Sequence, residues 1–253
     1  MSVGPPTDPD RFFFLSFAET NDVENALVRE FFHALCDEVR AHAGIGMHRG
    51  PHTGFLSIAS LALGDDWSHA IREALGTSAV FVALTAPTYF NSPSCGKEWQ
   101  AFADRLAADQ RRTGRSAPLL LPVRWRPSVM PAVTDGIQYF DPALIQHFDP
   151  KATALVRAEG FHAVARAIRF RDDYDAFVAA LAELIVRRAR EHRLTPMLPG
   201  PDFDRLPQAF PPAPPPPAPP PPSPADPRPA DGPPDPPTPP KPRYGSDFPY
   251  FST

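Results

Sequence analysis

The sequence predicts an α/β domain built on a parallel sheet, followed by a long segment that cannot pack. Three observations carry this. Short, continuously apolar runs recur along the first 140 residues, and stretches with helical spacing alternate with them. Of the 37 prolines, 14 fall in residues 1–200 and 23 in residues 201–253, so the excess is local. The 42% hydrophobic content is then concentrated upstream, where it can build a core.

The elements follow in order. Residues 1–10, acidic and proline-rich, read as a loose leader and not as a signal peptide. Phe12-Phe13-Phe14-Leu15-Ser16-Phe17 is a short apolar run that suits a strand covered on both faces. Leu27, Phe31, Leu35 and Val39 recur at spacing four and predict an amphipathic helix that Gly44 and Gly46 end. Phe55-Leu56 begins a weak second strand. Gly64-Asp65-Asp66-Trp67 opens a second helix with acids in its first turn, an inner stripe of Trp67, Ile71 and Leu75, and Gly76 as its stop. Ala79 to Leu84 is a third, buried strand, and Ala86 to Phe90 a turn. Ser92-Pro93-Ser94 supplies a cap and a first-turn proline for a helix that buries Trp99, Phe102 and Leu106. Leu119 to Val123 is a fourth strand, with Pro122 marking its end, and Ile137-Gln138-Tyr139-Phe140 a fifth. A last helix from about Asp173 to His192 buries Phe177, Leu181, Leu184 and Ile185.

Five strands with intervening helices imply a flavodoxin-like sheet of order 2-1-3-4-5 with helices on both faces. Ligands of such sheets sit beyond the ends of strands 1 and 3, here marked by Ser16-Phe17 and Thr85-Ala86. Several chemistries drop out. A phosphoacceptor receiver needs acids where this chain has Ser16 and Thr85. Gly44 to Gly50 lacks the dinucleotide-binding spacing and precedes a strand instead of following one, and there is no phosphate-binding P-loop. His42, His48 and His52 fit no zinc pattern, so no metal is expected. Cys36 and Cys95 are too few for a disulfide scaffold. A net charge of −4 argues against nucleic-acid binding by charge alone. No apolar run reaches the roughly 18–20 residues that span a bilayer, so a soluble, cytoplasmic protein without a membrane partner is expected. The acid that stands out is Glu98, early in the helix after strand 3. With Phe17, Trp67 and Trp99 nearby, the helix start is expected to keep it ionised at neutral pH.

From Pro207 to Pro242 the chain is nearly all Pro, Ala, Asp and Ser, a composition for extended polyproline geometry without a core. It reads as a disordered spacer and, more sharply, as a ligand for an SH3-like or WW-like reader. The organisation expected is a leader at 1–10, a domain at 11–195, a proline-rich linker at 196–243 and a short aromatic tail at 244–253.

Taken together, the motifs resemble those of TIR domains. Phe14-Leu15-Ser16-Phe17 resembles the first-strand F-(I/L)-S-(Y/F) box. Phe55, Leu61, Gly64 and Trp67 match the stretch around the second strand and BB loop. Val80 to Tyr89 resembles the third-strand segment, Ser94-Cys95-Gly96-Lys97-Glu98-Trp99 the S-x-C-x-x-E box, and Leu121-Pro122-Val123 the fourth strand. The resemblance covers residues 11–192. Within TIR-like proteins, Cys95 to Trp99 together with Ile137-Gln138-Tyr139 looks most like the actinobacterial TIR-like FxsC family, accessory proteins of FxSxx-COOH modified-peptide systems. In that comparison Arg243 to Tyr250 is the opening of a C-terminal region that is cut short.

The resemblance implies one of two activities. The first is an interaction or signalling module that self-associates or grips a protein partner through a loop at Leu61, Gly64, Asp65 and Asp66. The second is an NAD glycohydrolase that releases nicotinamide, with NAD as substrate and no resident cofactor. There Glu98 is the catalytic carboxylate, Phe17 stacks on a ring of the dinucleotide, Cys95 shapes the floor, and Ser16 and Trp67 complete the substrate site. Ser57 stands where the TIR pattern usually has Asp, and Ala18-Glu19 where NAD-cleaving members carry basic residues. Both departures weigh toward the interaction reading.

Overall fold

The computed structural model describes Pro9 and residues 11–46, 53–58, 65–203 and 205–210, and of residues 65–68 the backbone alone. The chain divides into two units, Met1–Pro212 and Ala213–Thr253, of which the second lies outside the described residues.

The first strand, β1 (Arg11–Ser16), is buried along its whole length. The helix α1 (Asp22–Ala43) follows. Asn21 caps it by accepting from the Glu24 amide at 3.0 Å, and Gly44 ends it in the left-handed region at φ 68°. Its buried stripe runs through Val28, Phe31, Leu35 and Val39, while Leu27 is half-buried at the margin. After the three-residue β2 (Gly54–Leu56) comes α2 (Asp65–Thr77), then β3 (Ser78–Thr85), buried throughout. Gly76 does not stop α2. It lies in the last turn, where the Met197 carbonyl would stand 2.3 Å from any Cβ. The expected turn after β3 is a short helix, α3 (Pro87–Phe90), and α4 (Pro93–Thr113) begins as the sequence implies, with Ser92 accepting from the Cys95 amide.

β4 (Leu120–Arg124) passes through Pro122 instead of ending there. The Phe81 amide donates to Leu119 and the Trp125 amide to Thr85, so odd-numbered residues of this strand face β3 and Pro122 faces outward. Its missing N–H therefore costs no bond to β3.

All four strands are parallel, in the order β2-β1-β3-β4. The expected fifth strand at residues 137–140 is absent among the described residues. This segment makes one bond to the sheet, from the Phe140 amide to the Pro122 carbonyl at 3.1 Å. A proline at the centre of the outer edge cannot donate to a further ladder, and Pro142 opens a tight turn just beyond. The Phe140 ring packs edge-on against Phe177.

The remaining helices are α5 (Pro150–Glu159), α6 (Phe161–Arg166) and α7 (Arg171–Glu191). Side chains of β1 alternate between two helical layers, as the period of a strand requires. Phe13 meets Phe32 of α1, which packs against α7. Phe14 stacks on Phe81, whose ring meets Trp99 and Phe102 of α4.

The packed unit continues beyond α7. The buried Arg105 guanidinium donates to the carbonyls of Leu75, Ser78 and Thr195 at 2.6–3.0 Å, joining α2, β3 and the segment after α7. Burial lowers its pKa to about 10. The Met197 amide bonds the Gly76 carbonyl at 2.9 Å, and Ala209 and Phe210 are buried. Residues 196–210, expected in the linker, thus lie against the domain, because a few apolar side chains in a polar, proline-rich stretch suffice to seat it.

Among the described residues no helix is long and apolar enough to cross a membrane.

Candidate functional site

Ser92 and Pro93 start α4 one turn above Glu98, and this start aims Glu98 back at the sheet. The residue is 2% exposed. The Ser16 hydroxyl, at the end of β1, donates to one carboxylate oxygen. The Ser57 hydroxyl, just past β2, donates to the other. Tyr89, from α3, donates its hydroxyl to Ser16 Oγ at 3.1 Å. The carboxyl is therefore held between the ends of β1 and β2, with the connection after β3 supplying Tyr89. The expected position between strands 1 and 3 is corrected by one strand.

Ser57 holds its place by local structure. Its amide bonds the Leu15 carbonyl at 3.0 Å, continuing the β1–β2 ladder one residue beyond β2. The sequence marked Ser57 only as a departure from a pattern. Its position, one residue after a strand end that faces Ser16, was the available signal.

Burial pushes the Glu98 carboxyl up to about 7, with the bonds from Ser16 and Ser57 pulling the other way. The carboxyl is thus poised between its two forms at neutral pH, in place of the ionised state expected from the helix start. Glu98 is the sixth residue of α4, beyond the first turn where the helix dipole acts, and complete burial prevails. Cys95, one turn earlier, is also buried, and burial followed by the Glu98 charge pushes its thiol up. Burial raises Tyr89 likewise. A protonated thiol and a protonated phenol make poor nucleophiles, so proton exchange and hydrogen bonding at Glu98 are the chemistry open to this cluster.

Phe17 is not part of it. One residue on from Ser16, it points to the other face of the sheet. It lines a small cavity with Glu24, Val28, Leu84, Trp125 and Arg126. The expected stacking of Phe17 on a ligand held by Glu98 does not follow from this placement. Leu61 and Gly64 lie outside the described residues, as do the side chains of Asp65, Asp66 and Trp67, whose backbones open α2. Trp99, expected beside the carboxylate, packs its ring against Phe81 and Phe210.

A second polar cluster escaped the sequence analysis. Glu24 accepts from Trp125 Nε1 at 2.7 Å and from both Arg126 Nε, at 3.0 Å, and Arg126 Nη2, at 2.5 Å. Burial alone would raise this carboxyl, but Arg126 and Trp125 outweigh it and hold it below the usual carboxylate range. His162 Nδ1 lies 3.1 Å from the Trp125 carbonyl, and burial lowers its pKa. Every member has a partner, so the cluster clamps α1 to the end of β4 and to α6.

Among the described residues no three His, Cys, Asp or Glu side chains gather as a metal site would require.

No curated protein and no solved structure matches the chain. The family model of the TIR domain matches residues 13–156, more than half of the sequence, from the middle of β1 into α5. The parallel sheet and this match agree, and the chain belongs to the TIR domain family.

Proposed function

We propose that this protein is an interaction and signalling module of the TIR kind, serving as an accessory protein of an FxSxx-COOH modified-peptide system. The observation that carries the module reading is the closure of Glu98. Each carboxylate oxygen already accepts a serine hydroxyl, from Ser16 and Ser57, and the residue is sealed from solvent, so a substrate meets no exposed carboxylate to engage. The resemblance of Cys95 to Trp99 and of Ile137 to Tyr139 to the TIR-like FxsC family supports the peptide-system role. Partners dock through the loop before α2 or through another copy of the domain, and an SH3-like or WW-like protein reads the proline-rich sequence. The test is incubation of the full chain with NAD at high protein concentration, with nicotinamide measured. No release above a Glu98→Gln control is expected. A gene neighbourhood without a precursor peptide ending in F-x-S-x-x would remove the peptide-system role.

One observation favours the second reading, an NAD glycohydrolase. A carboxyl poised near 7 among Ser16, Ser57, Tyr89 and Cys95 is an unusual group to bury for structure alone. The two serine hydroxyls donate to it as the two hydroxyls of a ribose would. Once they are displaced, the ionised carboxylate would hold the sugar and stabilise positive charge as nicotinamide leaves.

A further inference from the structure

The described part of the chain ends on the Glu98 cluster. Phe210 is 5% exposed, in a notch formed by Tyr89, Phe90 and Trp99, with ring centroids 5.8, 5.0 and 5.5 Å away. Tyr89 bonds Ser16 and Ser16 bonds Glu98, so one ring and two hydroxyl groups separate Phe210 from the carboxyl. The backbone is fixed too. The Ala209 amide donates to the Gly96 carbonyl at 3.2 Å, in the first turn of α4 between Cys95 and Glu98. The strap lies close over Gly96, where a Cβ would stand in ordinary contact with Ala209, Gln208 and Phe210 at 3.5–3.6 Å. Of the preceding residues, Arg205 and Gln208 are exposed and Leu206 is half-buried. The segment is thus held mainly by the Phe210 ring, with the buried Ala209, the half-buried Leu206 and one backbone bond, a small attachment of the kind that opens locally without unfolding the domain. It runs directly into the proline-rich sequence at Pro211, so a protein that grips that sequence holds a handle on Phe210.

We propose that residues 205–210 are a strap that keeps the Glu98 cluster shut, and that lifting Phe210 out of its notch opens the way to Glu98 and Cys95. This regulation rests on the second reading for its catalytic consequence, but the strap itself is tested without it. The probe is Cys95, buried next to Gly96, whose carbonyl accepts the Ala209 amide. In a Cys36→Ser full-length chain, labelling of Cys95 by an aromatic disulfide reagent is followed with and without Phe210→Ala. The expected result is labelling faster by about tenfold or more, with amide exchange accelerated in residues 87–99 and unchanged in β1 and β3. A synthetic peptide of residues 205–212 added in trans should restore protection, and the same peptide with Phe210→Ala should not. Labelling within about twofold of the parent, or exchange that rises equally in β1 and β3, overturns the strap. Nicotinamide release from NAD is measured on the same variant. Release that Glu98→Gln abolishes supports strap and glycohydrolase together. Fast labelling without release keeps the strap and removes the glycohydrolase.

Discussion

Glu98 and Glu24 are two buried acids whose surroundings push them in opposite directions. Glu98 has a folded pKa of about 7, above the ordinary 4.5. Its protonated form therefore stabilises the fold fully below pH 4.5, and this contribution is lost as pH rises through about 7. A shift of that size corresponds to about 3 kcal/mol. Glu24 is held below its ordinary 4.5, so its contribution is present above that value and lost as pH falls through the lower folded one. Melting temperature should accordingly peak in mild acid and decline toward neutrality. Glu98→Gln, which keeps the shape of the protonated acid, should match the parent near about pH 4 and exceed it by about 3 kcal/mol near about pH 8. Thermal melts of both proteins across that range check this, and parallel profiles would show that Glu98 is not the titrating group. Glu24→Gln should lose about 1–3 kcal/mol at neutral pH, as an Arg126 hydrogen bond loses its charge, and urea melts measure it.

At the scale of elements, the stripe of α1 and the anchor of α4 decide how the layers sit. Phe31 is fully buried between the rings of Trp125 and Phe161, at 5.6 and 5.8 Å. Phe31→Ala should cost roughly 3–5 kcal/mol in a denaturant melt, as truncating a buried aromatic does. A soluble variant with an unchanged midpoint would place the core of α1 on another face. Arg105 is a buried cation whose hydrogen-bond partners are backbone carbonyls, at the junction of α2, β3 and residues 194–195. Arg105→Met should cost at least about 3 kcal/mol, because several buried acceptors lose their donor at once.

The whole molecule has its boundary later than composition suggests. Pro, Ala and Asp dominate from Pro207 onward, yet Ala209 and Phe210 are buried against α4. A chain ending at Pro212 should be more stable than one ending at Pro199 by about 2–4 kcal/mol, the burial of one phenylalanine and its neighbours. Melts of the two truncations measure the difference. Equal midpoints would mean that residues 200–212 add no stability to the domain.

The order of elements from β1 to β4 was legible in the sequence, whereas α5 and α6 carried no expectation and the strand expected at residues 137–140 did not form. Buried strands show as continuous apolar runs, helices as spacing-four stripes bounded by Ser92 and Gly44, and Glu98 by its place in a motif one turn past a capped helix start. These signals are local, carried by neighbours within a few residues. What only the tertiary structure decided is non-local. Ser57 meets Glu98 across 41 positions and Glu24 meets Arg126 across 102. Phe17 turns away from the site because a strand reverses its face at every residue. Pro122 ends the sheet at four strands only because its nitrogen points outward, a fact of register that composition does not hold. The ionisation of Glu98 belongs to the same class: a helix start favours the charged form, complete burial opposes it, and the degree of burial exists only once the chain has folded.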